Sequence, residues 1–435
     1  MALSKRFRFP WSRRSPRLER PEPSLGPLSA PPVPEPRPRH AEFRPNLPSF
    51  HTTATDHLER DRSDPLSRQR IRFRNAFTPA QPVVDPRMFA GRSEILESVI
   101  RAVEEKRSHV IIFGDRGIGK TSLLHVLTLA AREARYIVIY FSCGTTSDFS
   151  ETFRTVAAEI PLLYHSSVSP VSSKSASGNS LADLLPPGKL TPRQVSDAAA
   201  KLVGTRVLVV LDEFDRATNP DFRRDIAELV KTLSDLSARV QLVIAGVAQD
   251  LVELMEHIPS IRRSITALRI PAMSDDEVRA LIENGARTSG VSFQPAAVEL
   301  VISAAFGSPY LSSLICHLAG VAALSERRQR VEVADVHRAL DEAIEDFNRR
   351  MPPEVVPHLD RMQEMMVVAK KSVQRKESST GKVGDLANFQ EDPLTETIKG
   401  HLEKTGLFKN MPAEHTALLL DSLKPYVQLV SARNP

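Results

Sequence analysis

Residues 114–122 read Gly-Asp-Arg-Gly-Ile-Gly-Lys-Thr-Ser, between the apolar run His109-Val110-Ile111-Ile112-Phe113 and a leucine-rich stretch that begins at Leu123. Gly114 and Gly119 fall on the fixed glycines of the pattern G-x-x-x-x-G-K-[ST], and Lys120 and Thr121 close it. The chemistry explains the residue types. Positions without Cβ let backbone N–H groups curl around an oxyanion, with Asp115, Arg116, Gly117 and Ile118 completing the loop. The helix that opens through Lys120, Thr121 and Ser122 aims the positive end of its dipole at the same point. Lys120 adds a mobile charge for β- and γ-phosphates, and the Thr121 hydroxyl can ligate Mg²⁺. The alternative is a chance strand-turn-helix, which a second motif would set aside.

That motif is Arg-Val-Leu-Val-Val-Leu-Asp-Glu-Phe-Asp-Arg-Ala, residues 206–217. Val207 to Leu211 form the continuous apolar run of a strand covered on both faces, and two acids follow at its carboxyl end. Asp212 is placed to hold the Mg²⁺ shell. Glu213 is placed to polarise a water for in-line attack on the γ-phosphate. Asp215 and Arg216 read as a solvated helix start.

Positioning these groups requires a sheet with helices around it. Apolar runs at His109, Tyr136, Val207, Val240 and Ile265, the last ending at Ile270, predict five strands. The spacing of the first two around the loop helix is that of a βαβ unit, so the sheet is parallel. An amphipathic helix is expected over about Ser93 to Glu105, and the globular part begins near Phe77. Residues 166–194 are rich in Ser, Gly and Pro and read as a mobile surface insertion. From Ser274 the pattern turns wholly helical. A capping box pairs Ser274 with Glu277, and further helices are expected over about Pro295–Ala305, Pro309–Leu324 and Ala334–Met351. The organisation is therefore a core over 77–272, a helical domain over 273–351, and a linker with small helices over 352–435. That last piece reads as a degenerate winged helix, a docking element or an unassigned helical tail.

The 435 residues, 41% of them hydrophobic, suffice for one large domain and a smaller one. No apolar stretch reaches the roughly 20 residues of a spanning helix, and the first residues lack a secretory signal block. With only Cys143 and Cys316 no disulfide framework is implied, which suits a reducing compartment, read as the cytoplasm. The net charge of +5 is unevenly placed. Residues 1–75 hold 16 Lys and Arg against 8 Asp and Glu, a balance of +8, leaving 42 against 45, a balance of −3, for the remainder. Residues 1–76, with 13 of the 33 prolines, predict a disordered basic tail. Within it Lys5 to Arg14 interleave cations with Phe7, Phe9 and Trp11. Such a mixture suits nucleic acid, an acidic membrane, a protein groove or organelle targeting, or is simply a solvated tail.

The loop at Gly114–Thr121, the Leu-Val-Val-Leu-Asp-Glu strand, an extra strand after it and a helical lid together resemble the additional-strand P-loop ATPases, within them the AAA+ and STAND group. The resemblance covers about residues 77–345. It implies a P-loop NTPase parallel sheet flanked by helices and followed by an all-α lid, with ATP or ADP and Mg²⁺ as cofactors. Phe89 to Leu96 resemble the "hhGRxxEl" box of origin-recognition-like and STAND proteins. Phe89 would then offer an apolar face to the base, Gly91 the box glycine and Arg92 a ribose or backbone contact, unless the box simply anchors a helix. Gly307, Ser308 and Pro309 resemble the lid "GxP" element, but Tyr310 and its neighbours include no lid arginine of the AAA+ kind. Gln249 is the one polar candidate after strand four.

Arg262 and Arg263 stand where related ATPases project an arginine onto a neighbour's γ-phosphate, which implies a homo-oligomer; local ion pairs are the equal alternative. The function expected is an ATPase whose lid follows nucleotide state. The alternatives are a slowly hydrolysing, nucleotide-gated scaffold for a protein partner, and a DNA-associated protein acting through the basic tail.

Overall fold

The computed structural model describes residues 65–83, 85–167, 179–246, 263–351 and 425–433. Five strands form one parallel sheet: β1 (His109–Phe113), β2 (Ile137–Ser142), β3 (Val207–Asp212), β4 (Val240–Gly246) and β5 (Ile265–Arg269). Their order is β2-β3-β4-β1-β5, so β4 lies between the strand that leads into the glycine loop and the strand that ends in the acids. Every residue of β3 and β4 is buried, which explains why both read as mainly apolar runs, Gln241 apart in β4, rather than as alternating ones.

Strand side chains alternate between two cores. Leu208 and Val210 of β3 face α2 (Ser93–Glu104) and α3 (Lys120–Glu133), through residues such as Val99, Leu123 and Leu127. Val207, Val209 and Leu211 face the other way, onto α4 (Phe149–Ala158), α5 (Pro192–Ala199) and α6 (Pro220–Asp235). The result is a helix-sheet-helix sandwich with the glycine loop at the carboxyl edge of the sheet.

The lid comprises α7 (Asp275–Ser289), α8 (Pro295–Ala305), α9 (Pro309–Ser325) and α10 (Val333–Arg350) around one core. The capping box forms as expected: Ser274 Oγ accepts from Glu277 N at 3.2 Å, and Glu277 Oε2 accepts from Ser274 N at 2.8 Å. The lid is not wholly helical, because β6 (Ser292–Phe293) and β7 (Arg330–Val331) pair in parallel. Two residues each are too few to read from sequence periodicity.

Three boundaries differ from expectation. A helix, α1 (Pro65–Ala76), occupies the end of the segment expected to be disordered, and the rest of that segment lies outside the described residues. Its composition is polar enough to look unfoldable, yet Phe73 and the following Phe77 are fully buried in the lid core. A Cβ on Gly320 of α9 would overlap the Phe73 ring, and one on Gly285 of α7 would overlap Phe77, so each ring fills a notch left by a missing side chain. Arg70 adds a bond to the Leu324 carbonyl at 3.1 Å, and Gln69 one to the Gly290 carbonyl at 2.9 Å.

Second, residues 179–194 of the expected mobile insertion are packed. Leu181, Leu185 and Leu190 are buried, and Arg154 of α4 donates to the carbonyls of Pro186 and Gly188, each at 2.6 Å. Third, residues 425–433 form a helix, α11, whose Tyr426, Val427, Leu429 and Val430 join the lid core. Residues 352–424 of the expected linker lie outside the described residues. Among the described residues no helix is long and apolar enough to cross a membrane.

Candidate nucleotide site

The loop from Gly114 to Gly119 turns sharply enough that Gly117 (φ 71°) and Gly119 (φ 95°) both take left-handed backbone, which side chains with Cβ resist. Gly119 is the N-cap of α3, so the free N–H groups of the first helical turn open into the loop. Ile118 turns its side chain into the core beside α3 and leaves only its backbone to the loop. Lys120 Nζ curls back and donates to the carbonyls of Gly114 at 2.9 Å and Asp115 at 3.0 Å. Burial lowers its pKa, and the nearby charge of Asp215, followed by Asp212 and Asp115, works against that fall.

Ser122 sits one residue past Thr121 but faces another way: its Oγ accepts from Val83 N at 3.0 Å, tying the segment before α2 to the loop helix. Thr121 meets the second motif directly. Its Oγ1 donates to Asp212 Oδ2 at 2.8 Å, although β4 separates the two parent strands. Asp212 is 3% exposed. It also accepts from Tyr140 Oη at 2.5 Å on Oδ2 and from Glu213 N at 2.8 Å on Oδ1. Burial and the Asp212 bond push the Tyr140 phenol far up, so it serves as a donor.

Glu213 stands just beyond β3 with left-handed backbone (φ 53°, ψ 37°), held between buried Leu211 and buried Phe214. A non-glycine residue there is strained by about 1 kcal/mol or more, the kind of cost that persists where neighbours over-determine it. Its Oε2 accepts from Ser142 Oγ at 2.9 Å and from Arg216 at 2.8 Å. Asp215, in the turn Phe214–Arg216, lies 3.6 Å from Arg116 of the loop.

Asp215 and Arg216 do form the short helix start expected, with Arg216 exposed, but both also reach the site, and Tyr140 and Ser142 stand there without having been expected. The first pair joins the site because Phe214 is pulled into the core and bends the chain back over the loop. Tyr140 and Ser142 had one available signal. They are the last two polar-tipped residues of β2 on the face parity shared with Asp212, and the register pairs Ser142 with Asp212.

The box ahead of the loop lies between core and lid. Phe89 is partly buried against the α2/α3 core. Gly91 (φ 74°) faces Glu277 of the lid, where a Cβ would come within 2.6 Å of the Glu277 Cβ. Arg92 is 3% exposed and donates to the Pro271 carbonyl at 3.0 Å, while its Nε and Nη1 have no hydrogen-bond partner among the described residues. Burial lowers its pKa, and the charge of Glu277 offsets part of that. The lid closes over the loop through α9: Pro309 lies 3.6 Å from where a Gly119 Cβ would be, and Tyr310 3.3 Å from a Gly117 Cβ. Arg263 is exposed at the amino end of β5, whereas the loop leaves the carboxyl end of the adjacent β1. With strands rising about 3.3 Å per residue, it is on the far edge of the sheet from its own loop. Arg262 and Gln249 lie outside the described residues.

A family model described as Novel STAND NTPase 1 matches residues 76–407. The chain belongs to that family. This STAND NTPase is similar in structure to Cdc6p from Pyrobaculum aerophilum, at 14% identity and a TM-score of 0.46 over 82% of this chain and 98% of that one. It is also similar to the ORC2 protein of Aeropyrum pernix in ADPNP–ADP complexes, at 17% identity and a TM-score of 0.45 over 82% and 98%. A third similarity is to the ORC1 protein of Aeropyrum pernix in complex with DNA, at 17% identity and 0.43 over 77% and 87%. No curated protein sequence matches the chain. The STAND NTPase is thus a nucleotide-binding P-loop protein. Its residues fit the expected ligands: a glycine cradle at a helix start suits phosphate, and the touching oxygens of Thr121 and Asp212 suit a hard cation.

Proposed function

We propose that the protein is an ATPase that binds ATP with Mg²⁺ at the loop Gly114–Ser122 and changes its lid contacts with nucleotide state. The single observation that carries this reading is the bond between Thr121 and Asp212 at the mouth of the loop, with Glu213 as the next residue. In this reading Lys120 leaves the Gly114 and Asp115 carbonyls for phosphate oxygens. Thr121 and Asp212 supply oxygen to the cation, which when bound offsets charge on the β- and γ-phosphates. Glu213 accepts a proton from the attacking water once Arg216 and Ser142 release its Oε2. Pro309 and Tyr310, resting on the loop glycines, carry the change to α9. Phe89 and Arg92 flank the base and ribose.

One observation favours a second reading, a slow nucleotide-gated scaffold: the candidate base is engaged by an arginine in a 2.8 Å ion pair. Steady-state hydrolysis and the identity of bound nucleotide separate the two. Lys120→Ala is expected to lose the nucleotide-dependent rise in Tm. Glu213→Gln is expected to stop hydrolysis and retain ATP rather than ADP; hydrolysis by that variant at the wild-type rate overturns the assignment of the base. Tight retention by the wild type with no turnover supports the scaffold.

Arg263 precedes the amino end of β5, on the edge of the sheet opposite its own loop, which supports a role across a subunit boundary for it or Arg262 in a homo-oligomer. An Arg262→Ala/Arg263→Ala variant is then expected to lose activity by a factor on the order of 10³. Mixing it with Lys120→Ala subunits should restore some hydrolysis. Failure to do so, with co-assembly demonstrated, returns these arginines to local ion pairing.

A further inference from the structure

The residues on one face of β2 share a common target. Tyr136, Val138 and Tyr140 pack towards the α2/α3 core, while Ile137, Ile139 and Phe141 pack on the opposite side. Asp212 of β3 has the same parity as Leu208 and Val210, which face that same core. The register pairs Tyr140 with Val210 and Ser142 with Asp212, so Tyr140 is the diagonal neighbour of Asp212. A diagonal neighbour is within reach of a long aromatic side chain and of little else. On α3, Thr121 and His125 are four residues apart and so share a face. Thr121 donates directly to Asp212 Oδ2, while the His125 ring rests against Tyr140 with centroids 5.1 Å apart and planes tilted by 42°. Tyr140 then donates to the same Oδ2 at 2.5 Å.

One helix face thus reaches Asp212 twice, once through a hydroxyl and once through a ring that carries another. Together with the Glu213 amide on Oδ1, these fix the carboxylate at three points. All three donors are neutral. Among the described residues Asp212 forms no ion pair, so its charge is oriented by neutral donors, with Lys120 acting on it only through the nearby field.

We propose that Tyr140 is a positioning residue for the nucleotide's divalent cation: by donating to Asp212 Oδ2 across the β2–β3 diagonal, it presets the carboxylate that the cation meets. This rests on the reading of Thr121 and Asp212 as the cation end of the nucleotide site. Without the phenol hydroxyl, Asp212 keeps the Thr121 bond but gains rotational freedom, and the cation must order it on arrival.

The test is Tyr140→Phe in the full-length protein, with ADP affinity measured by calorimetry in EDTA and again in Mg²⁺, and Mn²⁺ binding to the ADP complex followed by electron paramagnetic resonance. Phenylalanine keeps the ring against His125, so folding is preserved. The expected result is unchanged ADP affinity in EDTA, a loss of about tenfold in the gain that Mg²⁺ brings, and a matching weakening for Mn²⁺. Asp212→Asn serves as the reference for full loss of the gain. If wild type shows the gain and Tyr140→Phe keeps all of it, even with a lowered Tm, the residue is structural and the proposal is overturned. If wild type binds ADP with no gain from Mg²⁺, the reading of Thr121 and Asp212 fails and the proposal falls with it.

Discussion

Two aspartates, Asp212 in the core and Asp335 in the lid, are buried to similar depth and held in opposite ways. Asp335 accepts from both Nη atoms of Arg328 at 2.7 Å, from Arg338 at 2.5 Å and from Glu332 N at 2.9 Å. Burial would raise its pKa, but these bonds outweigh that and hold it at about 2. Among the described residues Asp212 accepts only from two hydroxyls and one amide. A buried carboxylate saturated by guanidinium groups is a fastening for the start of α10. One surrounded by neutral donors retains its charge for a visiting cation, at a standing cost in desolvation.

The comparison is open to attack in order of expected effect. Asp335→Asn should cost about 3 kcal/mol in urea unfolding, because a buried amide cannot accept from both arginines and the Glu332 N–H at once, even though Glu326 still engages each arginine. Nucleotide binding by that variant should survive. A cost well below about 1 kcal/mol would mean that the lid pair is no fastening at all.

Acid should then separate the two halves. His109 on β1 is buried, its Nδ1 accepts from Leu242 N at 3.0 Å, and burial lowers its pKa to about 4. Its folded pKa is below the unfolded value of about 6.5, so the unfolded chain takes up the proton first as pH falls. The core therefore loses up to about 3 kcal/mol between pH 6.5 and 4. Asp335 behaves as a depressed carboxylate: its stabilisation is intact above about pH 4 and lost only as pH falls towards 2. Hydrogen exchange at pH 7 and 5 should show β1 and β4 amides losing protection while α10 keeps it, and His109→Asn should flatten the response. Equal loss in both halves would contradict the contrast.

The smallest effect is expected at Asp212 itself. Asp212→Asn removes a buried charge that has no direct ion pair among the described residues and is offset only by the nearby Lys120 charge, so stability without ligand should shift by less than about 1 kcal/mol. A large destabilisation would show that Asp212 too is structural.

The core was far more legible in the sequence than the lid attachments, for a physical reason. Gly114, Asp212 and Glu213 lie at or just beyond the ends of buried strands, which announce themselves as apolar runs, and Lys120 and Thr121 open the helix after the glycine loop. Helix starts in the lid were equally readable, because the Ser274–Glu277 box and the prolines at 295 and 309 are local signals. Tyr140 offered only its parity in β2 as a signal, because its role depends on cross-strand register between residues 72 positions apart in the chain. Asp215 and Arg216 needed knowledge of where Phe214 would go. Helix α1 is hidden in the sequence because four arginines mask the one side chain, Phe73, that decides its fate.

The seating of Phe73 over Gly320 implies a bookkeeping of volume across evolutionary time. A glycine inside a helix costs about 1 kcal/mol relative to alanine, so Gly320 is retained only while something large fills its notch. In relatives the two positions should therefore drift together: an alanine or serine at the Gly320 position accompanied by leucine or a smaller residue at the Phe73 position, and phenylalanine only opposite glycine. The same reciprocity should link Phe77 and Gly285. An aligned set of family sequences in which the paired positions varied independently would mean that α1 does not dock on the lid throughout the family.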